Sequence, residues 1–174
     1  GTREGMCIRF NEQHIRTCGR VSMGVRAIRL DEGDYVIDMA RIEEGAEVLV
    51  ITAKGFGKRT SCDEYREQSR NGKGVRAMAV TDKTGPLAAQ LLVHPDEDIL
   101  VITDDGTIIR ARVADIRLSG RNTQGVRIMR IAEGSEVVAV ARTEAEEEEE
   151  AEEAALDTAE EFVEEPTEDP SLDM

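Results

Sequence analysis

The sequence predicts an all-β, propeller-like array of four-stranded blades, incomplete and about three blades long, followed by an acidic tail. Three observations predict it: one pattern returns at a nearly constant interval, short β-branched runs lie between turn formers, and helical periodicity is not sustained before residue 143. The pattern is a basic, glycine-containing loop, read as Gly19-Arg20-Val21-Ser22-Met23-Gly24-Val25-Arg26, Ser69-Arg70-Asn71-Gly72-Lys73-Gly74-Val75-Arg76 and Gly120-Arg121-Asn122-Thr123-Gln124-Gly125-Val126-Arg127. From Gly24 to Gly74 to Gly125 the steps are 50 and 51, and Arg20, Arg70 and Arg121 repeat them.

The register extends beyond the loop. Gly5, Gly55 and Gly106 fall in phase, each followed four residues later by Arg9, Arg59 or Arg110. Ile15, Tyr65 and Ile116 align next, with Arg16, Arg66 and Arg117 behind them. In chain order, the expected strands are Tyr35–Ala40, Val48–Thr52, Leu87–Val93, Ile99–Thr103 and a run around Val137–Val140. Glu44-Gly45, Thr84-Gly85-Pro86 and Asp105-Gly106 punctuate them as turns. The repeats are expected near 1–54, 55–105 and 106–143. Three repeats are too few to close a ring alone, so partners or further repeats must cover the ends. A start at Gly1 without a preceding apolar strand suggests a piece of a longer chain.

The net charge of −15 conceals a separation. From Glu144 onward there are 16 acids and no Lys or Arg, which leaves 21 of the 37 acids against 22 bases in residues 1–143. Windows 5–30, 55–80 and 106–131 hold 17 of those bases and five acids, so stacking the repeats would make one edge basic. Residues 144–174 have like charges at close spacing and low hydrophobicity, the composition of a disordered acidic tail. On its tether it would either compete with other polyanions for the basic edge or serve only to keep the chain in solution.

Other chemistries find little support. Cys7, Cys18 and Cys62 form no paired motif, and His14 and His94 offer no zinc spacing, so reduced thiols in a cytoplasmic protein are expected. No run approaches the roughly 20 apolar residues of a membrane span. A basic loop with glycine can set a cation and open backbone N–H groups against a phosphate, and three in register form a track. Phe10, Tyr35, Phe56, Tyr65 and Phe162 are the only aromatics, too few for the stacking that single-strand binders use, so duplex DNA is the expected ligand.

On these residues, and on Gly55-Phe56-Gly57-Lys58-Arg59-Thr60 in particular, residues 1–143 resemble the last blades of the C-terminal domain of the A-type subunit of bacterial DNA gyrase. The resemblance implies a β-pinwheel, in which neighbouring blades exchange a strand and duplex DNA wraps round a basic perimeter without sequence readout. It implies that wrapping imposes a positive crossover and so supports ATP-dependent negative supercoiling by a whole type II topoisomerase. Its implied partners are duplex DNA, the rest of the A-type subunit, and through it the gyrase B-type subunit in an A2B2 assembly, in the bacterial cytoplasm on the chromosome, with no membrane.

The resemblance implies no catalytic residue, metal or cofactor here, since ATP and Mg2+ act elsewhere in the whole enzyme, and Tyr35 and Tyr65 inherit no catalytic role. The family's wrapping box has the form Gln-(Arg/Lys)-Arg-Gly-Gly-(Arg/Lys)-Gly. Gln68, Arg70, Gly72, Lys73 and Gly74 match it, while Ser69 and Asn71 depart. The expected DNA-binding set is Arg20, Arg26, Gln68, Arg70, Gly72, Lys73, Gly74, Arg76, Arg121 and Arg127. The corresponding domain of topoisomerase IV and a propeller-like protein-interaction module are the alternatives.

Overall fold

In the computed structural model, residues 1–145 are described, and among them are strands and three 3₁₀ turns but no α-helix. The strands are β1 (Met6–Cys7), β2 (Glu47–Thr52), β3 (Phe56–Ser61), β4 (Val75–Arg76), β5 (Leu87–Val93), β6 (Glu97–Thr103), β7 (Ile108–Arg112), β8 (Val126–Arg127) and β9 (Val137–Glu144). A compact unit spans Gly1–Glu144, and β9 runs to its last residue, where Glu144 pairs with Glu97. Beyond its first two residues, the expected acidic tail lies outside the described residues.

The middle blade is a four-stranded sheet in the order β5-β2-β3-β8. β2 and β3 form the hairpin, with Val50 opposite Lys58. Gly55 closes its turn with φ at +75°, and the hairpin glycine therefore lies inside the blade. β5 returns on the other side of β2. The fourth strand comes from the next repeat: β8 pairs with the start of β3, Phe56 opposite Arg127 and Gly57 opposite Val126. β4 of the second repeat pairs with β1 of the first in the same way, Met6 opposite Arg76 and Cys7 opposite Val75. The strand exchange expected from the resemblance is thus present at both junctions. The third blade has the order β7-β6-β9.

One expected strand is not formed. Tyr35–Ala40 makes only an isolated bridge, Val36 with Thr2. The equivalent strands β5 and β9 each pair with a full hairpin strand, β2 and β6. The first repeat offers only Gly1 and Thr2 at that place: Ile37 N–H donates to the Gly1 carbonyl at 3.0 Å and Arg3 N–H to that of Tyr35 at 3.0 Å. With so few partners, a β-rich sequence has no ladder to join.

The core forms between blades. Along β2, Val48 and Val50 face a cluster with Cys7, Phe56, Cys62, Tyr65, Met78 and Leu87. Leu49 and Ile51 face the other way, into a cluster with Ile99, Val101, Val113, Ile116, Met129 and Val137. Alternate residues enter different cores, which explains why the strand reads as one unbroken apolar run. Full burial of such side chains stabilises by roughly 2 kcal/mol each.

Candidate nucleic-acid interface

The repeated arginines divide into two groups with different duties. Arg59, on β3, is 8 % exposed. Its guanidinium donates to the Ile116 carbonyl at 2.7 Å, the Ala114 carbonyl at 3.1 Å and the Glu47 carboxylate at 2.7 Å. Those carbonyls belong to the 3₁₀ turn Val113–Asp115 and its end in the following repeat. Arg9 grips the preceding turn in the same manner, donating to the carbonyls of Cys62 at 2.9 Å and Tyr65 at 3.4 Å. Arg110 pairs with Asp98 at 2.7 Å, the counterpart of the Arg59–Glu47 pair. A fork of fixed donors suits this task, because it satisfies several acceptors of one turn at once. At this position Arg9 and Arg59 join repeat to repeat.

The loops that follow these turns lie side by side. Arg70 donates to the His14 carbonyl at 3.1 Å and the Arg26 carbonyl at 3.3 Å. One repeat on, Arg121 donates to the Arg76 carbonyl at 2.9 Å. Each loop is therefore tied to its predecessor by the same arginine, and the chain of ties runs along one edge. Arg121 also receives support from Glu64, whose carboxylate accepts its backbone N–H at 3.0 Å.

Glycine serves this arrangement in an unexpected way. Gly74 and Gly125 have φ near +78° and +69°, and an added Cβ would overlap the carbonyls of Cys7 and Gly57 in the preceding repeat. The missing side chain lets β4 and β8 reach the neighbouring hairpin. At both positions the close approach is to protein backbone.

Lys58 is the residue that sequence reasoning passed over. It is fully buried, and its ammonium donates to the carbonyls of Gly120 at 2.6 Å and Arg121 at 2.5 Å. The third loop is thus anchored at its first two residues. Burial pushes the Lys58 amine down to about 8, with nearby Arg121 adding to the fall and Glu64 opposing it. The counterparts of Lys58 are Ile8 and Ile109, so the periodic pattern gave no sign of it.

Of the expected DNA-binding residues, Arg20, Arg26 and Arg76 are exposed, and their side chains form no hydrogen bond with a described residue. Arg127 is also exposed, its guanidinium 5.2 Å from the centre of the Phe56 ring. Lys73 is exposed and 2.8 Å from Asp31. Arg70 and Arg121 are half-buried and spend donors on the neighbouring loop. Gln68 is half-buried, with its backbone N–H donated to Arg9 at 2.8 Å. Gly72 accepts the Arg29 N–H at 2.8 Å, and Gly74 has the packing duty above. Arg16, Arg66 and Arg117, directly after Ile15, Tyr65 and Ile116, are exposed beside the same loops. They return at the same interval as the loops themselves.

Tyr65 is 2 % exposed within the first core, and burial raises its phenol well above the usual range. The residue packs. Among the described residues no group of three or more His, Cys, Asp or Glu is placed to hold a metal ion. No helix among them is long and apolar enough to cross a membrane.

Comparison with known proteins agrees with the geometry. The family described as DNA gyrase C-terminal domain, beta-propeller, matches residues 1–43, 46–88 and 97–144. The A-type subunit of DNA gyrase from Campylobacter fetus is 45 % identical over 148 residues, covering 84 % of this chain and 17 % of that protein. Its counterpart from Staphylococcus epidermidis is 42 % identical over 149 residues, with the same shares. The chain thus spans about a sixth of the length of these curated relatives. A solved gyrase A C-terminal domain superposes with a TM-score of 0.76 at 22 % identity, covering 81 % of this chain and 48 % of that one. The C-terminal domain of DNA topoisomerase IV gives 0.78 at 25 % identity, covering 91 % and 50 %. Strand exchange, repeat register and sequence kinship agree, and the chain belongs to the DNA gyrase C-terminal domain family.

Proposed function

We propose that this chain binds duplex DNA through its loop edge, without reading sequence, and bends it as part of a gyrase A-type subunit. The observation that carries the proposal is the row of exposed arginines, Arg20, Arg26, Arg76 and Arg127, on loops tied in succession along one edge. Backbone anchoring by Arg70, Arg121 and Lys58 presents that row on a stiff support. Phosphates follow a duplex at regular intervals, so a stiff row of cations favours a path that curves with it. Arg70, Lys73 and Arg121 add charge to the row while holding the loops.

In this reading the chain has no bond chemistry of its own and uses no cofactor. It works with the rest of the A-type subunit, and with the B-type subunit, in an A2B2 bacterial enzyme, in the cytoplasm and on the chromosome, where ATP and Mg2+ serve other domains. Wrapping would present a positive crossover for strand passage and so support negative supercoiling. The topoisomerase IV domain shares the fold equally well, whereas the sequence relatives named above are gyrase subunits.

Closing nicked circular DNA with ligase in the presence of increasing protein tests wrapping. A positive shift in linking number that grows with protein is expected. Binding without any shift would reduce the proposal to simple attachment, and no binding would remove it.

A further inference from the structure

The hairpin tip of the middle blade departs from the repeat at three positions, and the three meet. Lys54, just before the hairpin glycine, stands where the other repeats have Glu4 and Asp105. Phe56, just after it, stands where they have Met6 and Thr107. Lys83, in the turn ahead of β5, stands where they have Gly33 and Glu133. Lys83 and Arg127 both lie over the Phe56 ring, 5.6 and 5.2 Å from its centre. The Lys54 ammonium donates to the carbonyl of Asp82, the residue before Lys83. Lys54, Lys83 and Arg127 are exposed, and none of them pairs with a carboxylate among the described residues. Together with Phe56 and Met129 they line one open cleft, in which Glu133 is the single acid.

The neighbouring tips have the opposite charge. At the first, the Glu4 N–H donates to the Asp34 carboxylate at 3.1 Å. At the third, Asp104 accepts the Glu136 N–H at 2.9 Å, with Asp105 beside it. A polyanion along the loop edge is therefore repelled at these two tips and attracted at the middle one. The cleft also lies to one side of the loop row. Arg127 pairs opposite Phe56, and Lys54 lies two residues nearer the turn, about 7 Å along the strand. The ring holds its two cations in place without neutralising them.

We infer that this cleft is a second phosphate site for duplex DNA, beside the loop row, where Lys54 and Lys83 join Arg127 on one stretch of the DNA backbone. The inference rests on the duplex reading above, because Arg127 belongs to both surfaces: a duplex on the row brings its backbone to the mouth of the cleft. The contact belongs to the middle blade alone among the three tips, and it draws the duplex sideways at one point of an otherwise repetitive edge.

Salt titration of duplex binding by the full chain tests it. Arg41 and Glu44 serve as controls, since they precede β2 and so lie at its far end from the hairpin tip. Changing both Lys54→Gln and Lys83→Gln is expected to make the slope of log affinity against log salt less steep by about 2, the loss of two phosphate contacts, whereas Arg41→Gln leaves it unchanged. Glu133→Gln takes the acid out of the cleft and is expected to tighten binding about two- to fivefold at low salt, whereas Glu44→Gln, an equal change in charge, leaves it unchanged. All five positions are exposed, and circular dichroism is expected to be the same in every variant. Steep salt dependence in the wild type that the two lysine changes leave untouched would overturn the cleft and leave the loop row standing. Controls that act as strongly per charge as the cleft variants would also overturn it, by reducing the effect to net charge. A wild type that binds no duplex would remove both readings together.

Discussion

Loop one, residues 19–26, and loop three, residues 120–127, carry the same pattern and differ in nearly every contact. In loop three, Lys58 holds two carbonyls, Glu64 accepts the Arg121 N–H, Arg121 reaches back to Arg76, and Gly125 seats the chain against Gly57. In loop one an added Cβ at Gly24 would meet nothing within 4 Å. The motif's glycine, its leading arginine and its closing Val-Arg are docking parts, and the preceding repeat completes them.

The largest effect should come from the clamp ahead of loop three. Arg59→Ala leaves the Glu47 carboxylate and two turn carbonyls without their partner, and is expected to cost about 3–5 kcal/mol in chemical denaturation. A loss below 1 kcal/mol would show that the turn holds itself. Next, Gly125→Ala combines left-handed strain with overlap on the Gly57 carbonyl and should cost about 3 kcal/mol, against about 1 kcal/mol for Gly24→Ala, where only the strain applies. Equal losses would erase the distinction between the loops.

Lys58→Met should cost about 1–3 kcal/mol, because it orphans the carbonyls of Gly120 and Arg121. It should also change the pH dependence. The Lys58 amine is held at about 8 in the folded chain, against an ordinary 10.5, so the unfolded chain binds the extra proton between those values. Stability from this residue therefore rises with pH across that window and is lost as pH falls through 8. The difference in slope between the wild type and Lys58→Met checks the sign. The smallest effect on stability is expected for Arg76→Ala, within about 0.5 kcal/mol.

The fold was legible because repeats of about 50 residues constrain it strongly, and Val48–Thr52 and Leu87–Val93 have both pattern and partners. Tyr35–Ala40 has the pattern, but among the described residues it pairs only through the Val36–Thr2 bridge, and composition does not reveal pairing. The site was legible as a class of residue. Arg9 and Arg59 looked as basic as Arg20 and Arg76, and only the backbone acceptors of the next repeat separate clamp from rim. Lys58 was hidden because it breaks the repeat at an apolar position.

The most direct test of the account is a salt titration of duplex binding by the wild type and by a chain with Arg20, Arg26, Arg76 and Arg127 all changed to Ala. With roughly six phosphate contacts, the slope of log affinity against log salt is expected near about −5, falling to about −1 or −2 in the variant while its stability is retained. A slope that the four changes leave untouched would contradict the assignment of DNA to this edge.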